Sequence, residues 1–317
     1  MGKKVFFEEL DLENEFVLQE VSTLCNNMAP QIEKNKFKEL MRWKHVLNPN
    51  GISIAYGAYA QGQLVSVRMF MRWKINNQKG VMICCRPVDT YTDPRYQRLG
   101  LFSELTKKAL EHAKENEIDF IFNTPNAMSG PGYLKLGWKR FGSYKANLIV
   151  CRPLKILFNK IKKKLNFSYP NRYAIPIELD ANSVKADIYA ISSIEQEKKK
   201  FLVWRYLEHP IGEFGVHVDE DNLVVYKLNV RDGLRELLIC EVLNLNTSKG
   251  TSKSKVRISI SKISTEFKVD YCISHIKFRL FYPTINISTL DIYGKEIHMK
   301  DIQEDDISLT VGDVESL

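Results

Sequence analysis

The fold of this chain is decided by Val88-Asp89-Thr90-Tyr91-Thr92-Asp93-Pro94-Arg95-Tyr96-Gln97-Arg98-Leu99-Gly100-Leu101-Phe102. A short apolar run leads into a proline turn, a Gln-x-x-Gly step follows, and helix-forming residues come next. A strand that turns sharply into a helix leaves backbone N–H groups unpaired at the positive end of the helix dipole. The stretch therefore predicts an anion site. Gly100 matters because a side chain there would keep a phosphate away from the backbone.

The residues that follow continue an alternation of helix and strand. A helix is predicted over 103–116, and residues 118–123 have the composition of a buried strand. A second motif begins at Asn126, has Tyr133 seven residues later, and ends in Leu-Gly-Trp at 136–138. Another strand is predicted directly after it. This alternation predicts an α/β fold with a mixed sheet flanked by helices.

In this arrangement the chain resembles the GNAT superfamily of acyl-CoA-dependent N-acetyltransferases. The family's pyrophosphate loop, Gln/Arg-x-x-Gly-x-Gly/Ala, corresponds to residues 97–102, and its second signature corresponds to Asn126, Tyr133 and residues 136–138. One departure is visible, because Phe102 stands where the family usually has Gly or Ala. Two signatures in the right order, with a helix and a strand between them, indicate this fold more strongly than either does alone.

The resemblance implies direct acetyl transfer from acetyl-CoA, the cosubstrate, to an amine. The strand around Val88 and Thr90 would contact the pantetheine arm through its backbone, and Asn126 would hydrogen-bond the same arm. Tyr133 corresponds to the family tyrosine that protonates the departing thiolate. Backbone N–H groups of the loop would hold the pyrophosphate, and the loop consists of Gln97, Arg98, Leu99, Gly100, Leu101 and Phe102.

Most of these residues also have a purely structural interpretation. Tyr133 could be a core aromatic at a helix end, and Asn126 could be a helix N-cap. Asp89 is the candidate general base, because it lies on the cofactor strand and could accept a proton directly or through water. The alternative for Asp89 is a carboxylate that stabilises a turn. His45 and His209 each lie near a proline turn, which favours structural roles for both.

Length and cysteine usage agree with an enzyme of the cytoplasm. The chain has 317 residues, which is long enough for one large core or two ordinary ones. Its net charge is +8. No C-x-x-C pair occurs among the cysteines, and buried thiols in apolar runs suit a reducing compartment. No spacing typical of metal ligands is seen, and the sequence predicts neither a signal peptide nor a membrane span. The six cysteines are Cys25, Cys84, Cys85, Cys151, Cys240 and Cys272.

The chain repeats itself once. Residues 43–51 match residues 204–212, with Trp, a basic residue, Pro and Gly at identical spacings. A repeat with a whole domain between its copies predicts duplicated domains. The second copy has no Gln-x-x-Gly turn and no Asn/Tyr pair. We therefore expect two GNAT-like domains in tandem: 1–150 with the cofactor site, 151–200 as a basic interdomain segment, and 201–317 as a degenerate partner.

A basic segment lies between the two halves. Residues 139–173 contain ten Lys or Arg and no Asp or Glu. Within it, residues 153–165 could form a basic amphipathic helix, and three interpretations stay open. The helix could make weak peripheral contact with an anionic membrane, it could steer anionic substrates, or it could pack internally. Nucleic acid is not expected as a partner, because no stacking aromatic platform accompanies the basic residues.

Two classes of function follow. The first is an N-acetyltransferase for a small primary amine, with an amino sugar of surface-polysaccharide biosynthesis as the preferred acceptor and a peptide or aminoglycoside amine as alternatives. The second is a non-catalytic module that binds CoA or serves as a scaffold. Retention of Gln97, Gly100, Asn126 and Tyr133 in one copy favours the enzyme. The sequence makes no prediction of oligomeric state.

Overall fold

The chain forms two compact units. The computed structural model describes residues 4–77, 80–162, 175–177, 188–246, 252–277, 284–307 and 309–314, and all structural statements concern these. The first unit comprises Met1–Gly142 and Asp291–Ser308, and the second comprises Ser143–Leu290 and Leu309–Leu317. The domain limits expected from the sequence repeat, 1–150, 151–200 and 201–317, stay a prediction about the duplication.

The first unit is a mixed sheet with helices. Its strands lie in the order β1-β2-β3-β4-β5-β12, and the β4–β5 pair is parallel while the other neighbouring pairs among the described residues are antiparallel. Its elements are β1 (Phe6–Glu9), α1 (Glu15–Cys25), α2 (Lys34–His45), β2 (Ile54–Ala60), β3 (Gln63–Asn77), β4 (Gly80–Thr92), α3 (Leu101–Glu115), β5 (Phe120–Asn123), α4 (Gly130–Lys135) and the end of β12 (Thr284–Glu296). The predicted α/β class is confirmed.

Helix α3 packs its apolar face on this sheet. Its buried apolar residues recur at helical spacing, three or four positions apart, so they form one stripe along the helix. The C-terminal part of the stripe packs in a core cluster with Ile121 of β5 and Tyr133 of α4, and its N-terminal part packs in a second cluster with Ala58 and Val65. The stripe comprises Leu101, Leu105, Ala109, Leu110 and Ala113. This packing fixes the N-terminus of α3 beside the end of β4.

Strand β4 carries a bulge and separates from β5. In the β3–β4 ladder Val67 pairs with Tyr91 and Met69 pairs with Val88, so two residues of β4 lie opposite Arg68. Strands β4 and β5 pair only at Cys84–Phe120 and Cys85–Ile121, whereas β4 continues to Thr92. The described part of β4 beyond residue 85 therefore has β3 as its ladder partner and an open edge on its other side.

The second unit repeats the same pattern. Its strand order is β6-β11-β10-β9-β7, with β8 paired to β9. The parallel pair β10–β11 has a helix, Lys253–Glu266, between its strands, just as β4–β5 has α3. The elements are β6 (Lys139–Val150), α5 (Pro153–Lys162), β7 (Ile175–Pro176), α6 (Gln196–Leu202), β8 (Gly215–Val218), β9 (Asn222–Arg231), β10 (Leu234–Asn244), α7 (Lys253–Glu266), β11 (Tyr271–Ser274) and α8 (Val311–Val314).

The last strand of each unit comes from the other half of the sequence. Strand β6, which follows α4 directly, pairs with β11 of the second unit through residues 147–150. Strand β12, which follows β11 in the chain, pairs with β5 of the first unit through residues 293–296. Both exchanged pairings are antiparallel. Because these two strands are exchanged, the compact units and the halves of the sequence have different limits.

Candidate active site

The loop between β4 and α3 presents free backbone donors to solvent. Asp93 caps a short turn at Pro94–Tyr96, and the chain then reaches Arg98 and Gly100, which have φ of 63° and 79°. Two left-handed residues around Leu99 turn the backbone sharply before the helix. The N–H groups of residues 98–100 donate no hydrogen bond within the described chain, and residues 97–100 are exposed. This is the geometry of an anion cradle.

Gly100 has two reasons to be glycine. Its φ of 79° is strained for any residue with a Cβ, and it is the N-cap of α3 with no side-chain cap on the helix. A Cβ built at Gly100 meets no atom within 4 Å, so the space above it is open. Open space over uncapped N–H groups leaves room for an anion, and contact of this loop with the pyrophosphate of CoA stays a prediction.

Tyr133 is buried with its hydroxyl at the centre of a polar contact. Its side chain is 4% exposed, and its ring packs edge-on against Phe102 and Trp138 at 5.6 and 5.2 Å between centroids. Its phenolic oxygen accepts a hydrogen bond from Nη2 of Arg68 at 2.9 Å. Tyr133 is thus a core aromatic and also a positioned hydroxyl, so the two interpretations of this residue coexist.

Phe102 faces inward from the first turn of α3. Its ring lies 5.6 Å from that of Tyr133 and 4.9 Å from the Arg68 guanidinium carbon. A Cβ added to Gly132 of α4 would come within 3.1 Å of the Phe102 ring. The glycine therefore makes room for the phenylalanine, and the departure at position 102 leaves the backbone N–H groups of the loop directed outward.

Asn126 caps the turn that precedes α4. Its Oδ1 accepts hydrogen bonds from the backbone N–H groups of Met128 and Ser129 at 3.0 and 2.9 Å, and also from the Ser129 hydroxyl at 3.1 Å. The side chain is exposed, and its Nδ2 donates no hydrogen bond within the described residues. The structural interpretation accounts for the oxygen, and the amide nitrogen is left to meet a ligand. Contact with the cofactor arm stays a prediction.

Asp89 lies in the β4 bulge with φ of 48° and points toward α2. Its carboxylate contacts Lys44 Nζ at 2.9 Å and His45 Nε2 at 3.0 Å. Burial alone would raise the pKa of Asp89, but the Lys44 ammonium and the His45 hydrogen bond outweigh it and hold that pKa below its usual range. A carboxylate held in its ionised form is a weak proton acceptor. The geometry favours an electrostatic role, and the assignment of Asp89 as the base stays a prediction.

His45 links Asp89 to a buried serine. Burial lowers the pKa of His45 below its usual value, and the hydrogen bond and charge of Asp89 oppose this effect without reversing it. Because ionised Asp89 only accepts hydrogen bonds, Nε2 of His45 carries the proton and Nδ1 accepts from the Ser53 hydroxyl at 2.8 Å. Ser53 is 6% exposed and His45 is fully buried, so this Ser-His-Asp hydrogen-bond chain has a structural role.

We expect Asp89→Asn to destabilise the protein by about 2 kcal/mol at pH 7, because charge-assisted hydrogen bonds are lost and Lys44 stays buried. The folded-state pKa of Asp89 lies below its unfolded value of about 4. Its stabilisation is therefore present above that value and lost as the pH falls through the folded pKa. Urea unfolding from pH 7 to pH 3 should show the difference from wild type shrinking toward acid. A difference that is constant with pH would contradict this role.

The basic segment is partly neutralised. Arg140 contacts Asp291 at 2.7 Å in the first unit, and Lys155 contacts Asp270 at 2.7 Å in the second. Helix α5 covers the described part of the predicted helix at 153–165, and 163–165 lie outside the described residues. Its exposed apolar side chains are Leu154, Leu157 and Phe158. Membrane contact by this helix stays a prediction. No described helix combines the length and apolar character needed to cross a bilayer.

Two basic residues at the site were not found from the sequence. Arg68 lies on β3 and contacts Tyr133, and Lys44 lies on α2 and contacts Asp89. Arg68 stands in no motif, whereas Lys44 is the basic residue of the repeated segment 43–51, where nothing marks it as a partner of Asp89. His209, by contrast, accepts hydrogen bonds from backbone N–H groups of its own proline turn, the structural role expected of it. No group of three or more metal-ligating side chains comes together within the described part of the chain.

The splayed pair β4–β5 and the glycine loop at the N-terminus of α3 form the arrangement that the resemblance to acyl-CoA-dependent acyltransferases implies. The profile of the acetyltransferase (GNAT) domain matches residues 23–141, which include every residue of the site. Residues 23–141 thus match a GNAT acetyltransferase domain, and this match supports acyl transfer from acyl-CoA to an amine as the general activity.

Solved structures support the same fold. A probable N-acyltransferase from Enterococcus faecalis matches with 13% identity and a TM-score of 0.59, covering 94% of this chain and 74% of its own. A GCN5-related N-acetyltransferase from Anabaena variabilis has 12% identity, a TM-score of 0.59, and coverage of 93% and 73%. A GCN5-related N-acetyltransferase from Kribbella flavida has 12% identity and a TM-score of 0.57, and the match covers 93% of this chain and 72% of that one. Curated protein sequences give no significant match.

Proposed function

We propose that this protein is an acetyltransferase that moves an acetyl group from acetyl-CoA to a primary amine, with the first unit as its catalytic unit. The observation that carries the proposal is the exposed loop at Gly100, with open space above it and unpaired N–H groups around it. The same helix start brings Phe102 against Tyr133. A cradle for CoA and a hydroxyl that could protonate its sulfur thus belong to one packed cluster.

The chemistry assigns a task to each part. Backbone N–H groups of residues 98–102 hold the pyrophosphate, and the open edge of β4 at Val88 and Thr90 receives the pantetheine arm. Nδ2 of Asn126 donates to the same arm. Tyr133 supplies a proton to the departing sulfur. The attacking amine must lose a proton, and Asp89 with Lys44 sets the charge at the β4 bulge.

For the acceptor we propose an amino sugar used in surface-polysaccharide assembly. Its support is the basic segment 139–173, which would attract a nucleotide-linked sugar through its anionic phosphates. A peptide amine and an aminoglycoside are the competing acceptors, and an aminoglycoside is itself cationic, so the segment disfavours it. The six cysteines are free thiols, which supports placing the enzyme in the cytoplasm.

Acetyl-CoA should raise the melting temperature of the full chain by several degrees. A ligand that binds only the folded state adds about 2.7 kcal/mol at a hundred times its Kd. Thermal scans with increasing acetyl-CoA, beside scans with adenosine, give the measurement. An unchanged melting temperature at millimolar acetyl-CoA would refute the cofactor assignment.

A panel experiment then separates the enzyme from a non-catalytic CoA-binding module. The protein is incubated with radiolabelled acetyl-CoA and, one at a time, amino sugars, nucleotide-linked amino sugars, aminoglycosides and peptides. Label transferred to a nucleotide-linked amino sugar, faster than to the free sugar, is the expected result. A melting shift with no transfer to any amine would favour the non-catalytic alternative.

A further inference from the structure

Arg68 is a buried cation without a counter-ion. Its side chain is 1% exposed, and no carboxylate forms an ion pair with it among the described residues. Nη1 donates to the Thr90 hydroxyl at 2.5 Å and Nη2 donates to the Tyr133 hydroxyl at 2.9 Å, while buried Nε has no partner. Burying an uncompensated charge in a protein costs on the order of several kcal/mol, so other groups in this cluster must offset that cost.

Three aromatic rings supply part of that offset. The guanidinium carbon lies 5.1 Å from the Phe70 ring centroid, 4.9 Å from that of Phe102 and 5.1 Å from that of Tyr133. Each face attracts a cation electrostatically, and desolvated contacts of this kind are the strong ones. Phe102 contributes one of these faces from the position where the GNAT signature has Gly or Ala. The departure in the loop thus helps to keep a positive charge beside Tyr133.

The hydrogen-bond pattern orients the tyrosine. Arg68 only donates, so the phenolic oxygen of Tyr133 accepts from it and keeps its own proton for another acceptor. The bulge in β4 turns Thr90 toward Arg68, and the second hydrogen bond fixes the guanidinium plane. The charge would also stabilise the negative oxygen left behind when the tyrosine gives up its proton.

The geometry points to Arg68 as a positioning residue that aims the Tyr133 proton at the CoA sulfur and stabilises the phenolate formed by its transfer. This inference rests on the proposed function. As the C–S bond breaks, its electron pair goes to sulfur, and the O–H proton of Tyr133 moves to that sulfur to form the CoA thiol. The phenolate then regains a proton through water, which balances the proton lost by the attacking amine.

The test compares the binding of two ligands by calorimetry: CoA, and desulfo-CoA, which lacks the sulfur. At pH 9, where more of the CoA thiol is ionised than at pH 7, the wild type should bind CoA about tenfold more tightly than desulfo-CoA, the worth of one charge-assisted hydrogen bond. Tyr133→Phe and Arg68→Met should each reduce this preference to within about twofold, while desulfo-CoA affinity stays near the wild-type value.

Arg72→Met is the matched control. Arg72 lies on the same strand and bonds to Ile52 and Asn116, outside the cluster, so this variant should keep the full preference for CoA. Desulfo-CoA affinity reports folding of the site in every variant. If Arg68→Met loses desulfo-CoA binding, Arg68→Gln replaces it, because glutamine keeps a donor but no charge. A lost preference in that variant supports the inference, and a full preference overturns it.

The remaining outcomes are distinct. A wild type that binds neither ligand refutes the proposed function, and the inference with it. A wild type that binds both ligands equally shows that Tyr133 does not meet the sulfur; this overturns the inference and leaves CoA binding intact. A preference that disappears in Tyr133→Phe but persists in Arg68→Met shows that Tyr133 needs no help from Arg68, which also overturns it.

Discussion

Gly100→Glu is expected to weaken acetyl-CoA binding at least about a hundredfold. The Gly100 position is exposed, its φ is 79°, and the space above it is open, so a side chain would occupy the volume assigned to the pyrophosphate. Its carboxylate would also repel the phosphates, and several charge-assisted hydrogen bonds, about 1.5–3 kcal/mol each, would be lost. Calorimetric titration of acetyl-CoA into wild type and variant measures the effect.

Gly62→Glu is the control for backbone strain. Gly62 has φ of 73°, is exposed in the hairpin between β2 and β3, and has no atom within 4 Å of a built Cβ. A glutamate there meets the same conformational cost, about 1–2 kcal/mol, without touching the loop. Both variants should unfold at similar temperatures, and only Gly100→Glu should fail to bind. Normal acetyl-CoA affinity in Gly100→Glu would place the pyrophosphate elsewhere.

Tyr133→Phe should lower turnover at least about a hundredfold and change acetyl-CoA affinity by less than about twofold. General acid catalysis contributes about 10²–10⁴ to a rate, and the phenylalanine ring preserves the packing against Phe102 and Trp138. The measurement is kcat and the Kd of acetyl-CoA, using the best amine from the panel. Because Nη2 of Arg68 loses its acceptor, a fall in stability of about 1–3 kcal/mol should accompany the change.

Tyr59→Phe provides the matched comparison. Tyr59 lies on β2, and its hydroxyl donates to Glu20 at 3.1 Å, outside the cluster around Tyr133. This substitution removes one phenolic hydroxyl and one hydrogen bond, as Tyr133→Phe does, so a purely structural effect would appear in both variants. Equal turnover in Tyr133→Phe and wild type would exclude Tyr133 as the acid and leave it a core residue.

Local features of the site were predictable because they are contiguous in sequence. The Gln-x-x-Gly turn, the helix start and the Asn/Tyr motif each lie within a dozen residues, where spacing alone fixes which groups share a turn or a helix face. The tandem repeat was visible for the same reason. The exchange of β6 and β12 between units was not, since strand pairing partners are set by the packing of the whole sheet.

Asp89 illustrates the opposite case. Sequence places it on the cofactor strand, and from that position a base and a turn-stabilising carboxylate were equally consistent. Its actual partners, Lys44 and His45, lie about forty-five residues earlier in the chain on α2. Only the packing of α2 against the bulge in β4 brings these charges together, and their electrostatics determine the pKa of the carboxyl group.

The sequence by itself determined the α/β fold, the internal sequence repeat, the glycine loop and the candidate tyrosine, because these depend on periodicity, turn chemistry and short spacing. The tertiary structure decided what surrounds them. Arg68 comes to Tyr133 because β3 pairs with a bulged β4 and because α3 and α4 pack on the same face. Phe102 departs from the motif, yet in the fold its ring packs against the buried Arg68 guanidinium. Contacts between residues distant in sequence, in a low-dielectric core, created this environment.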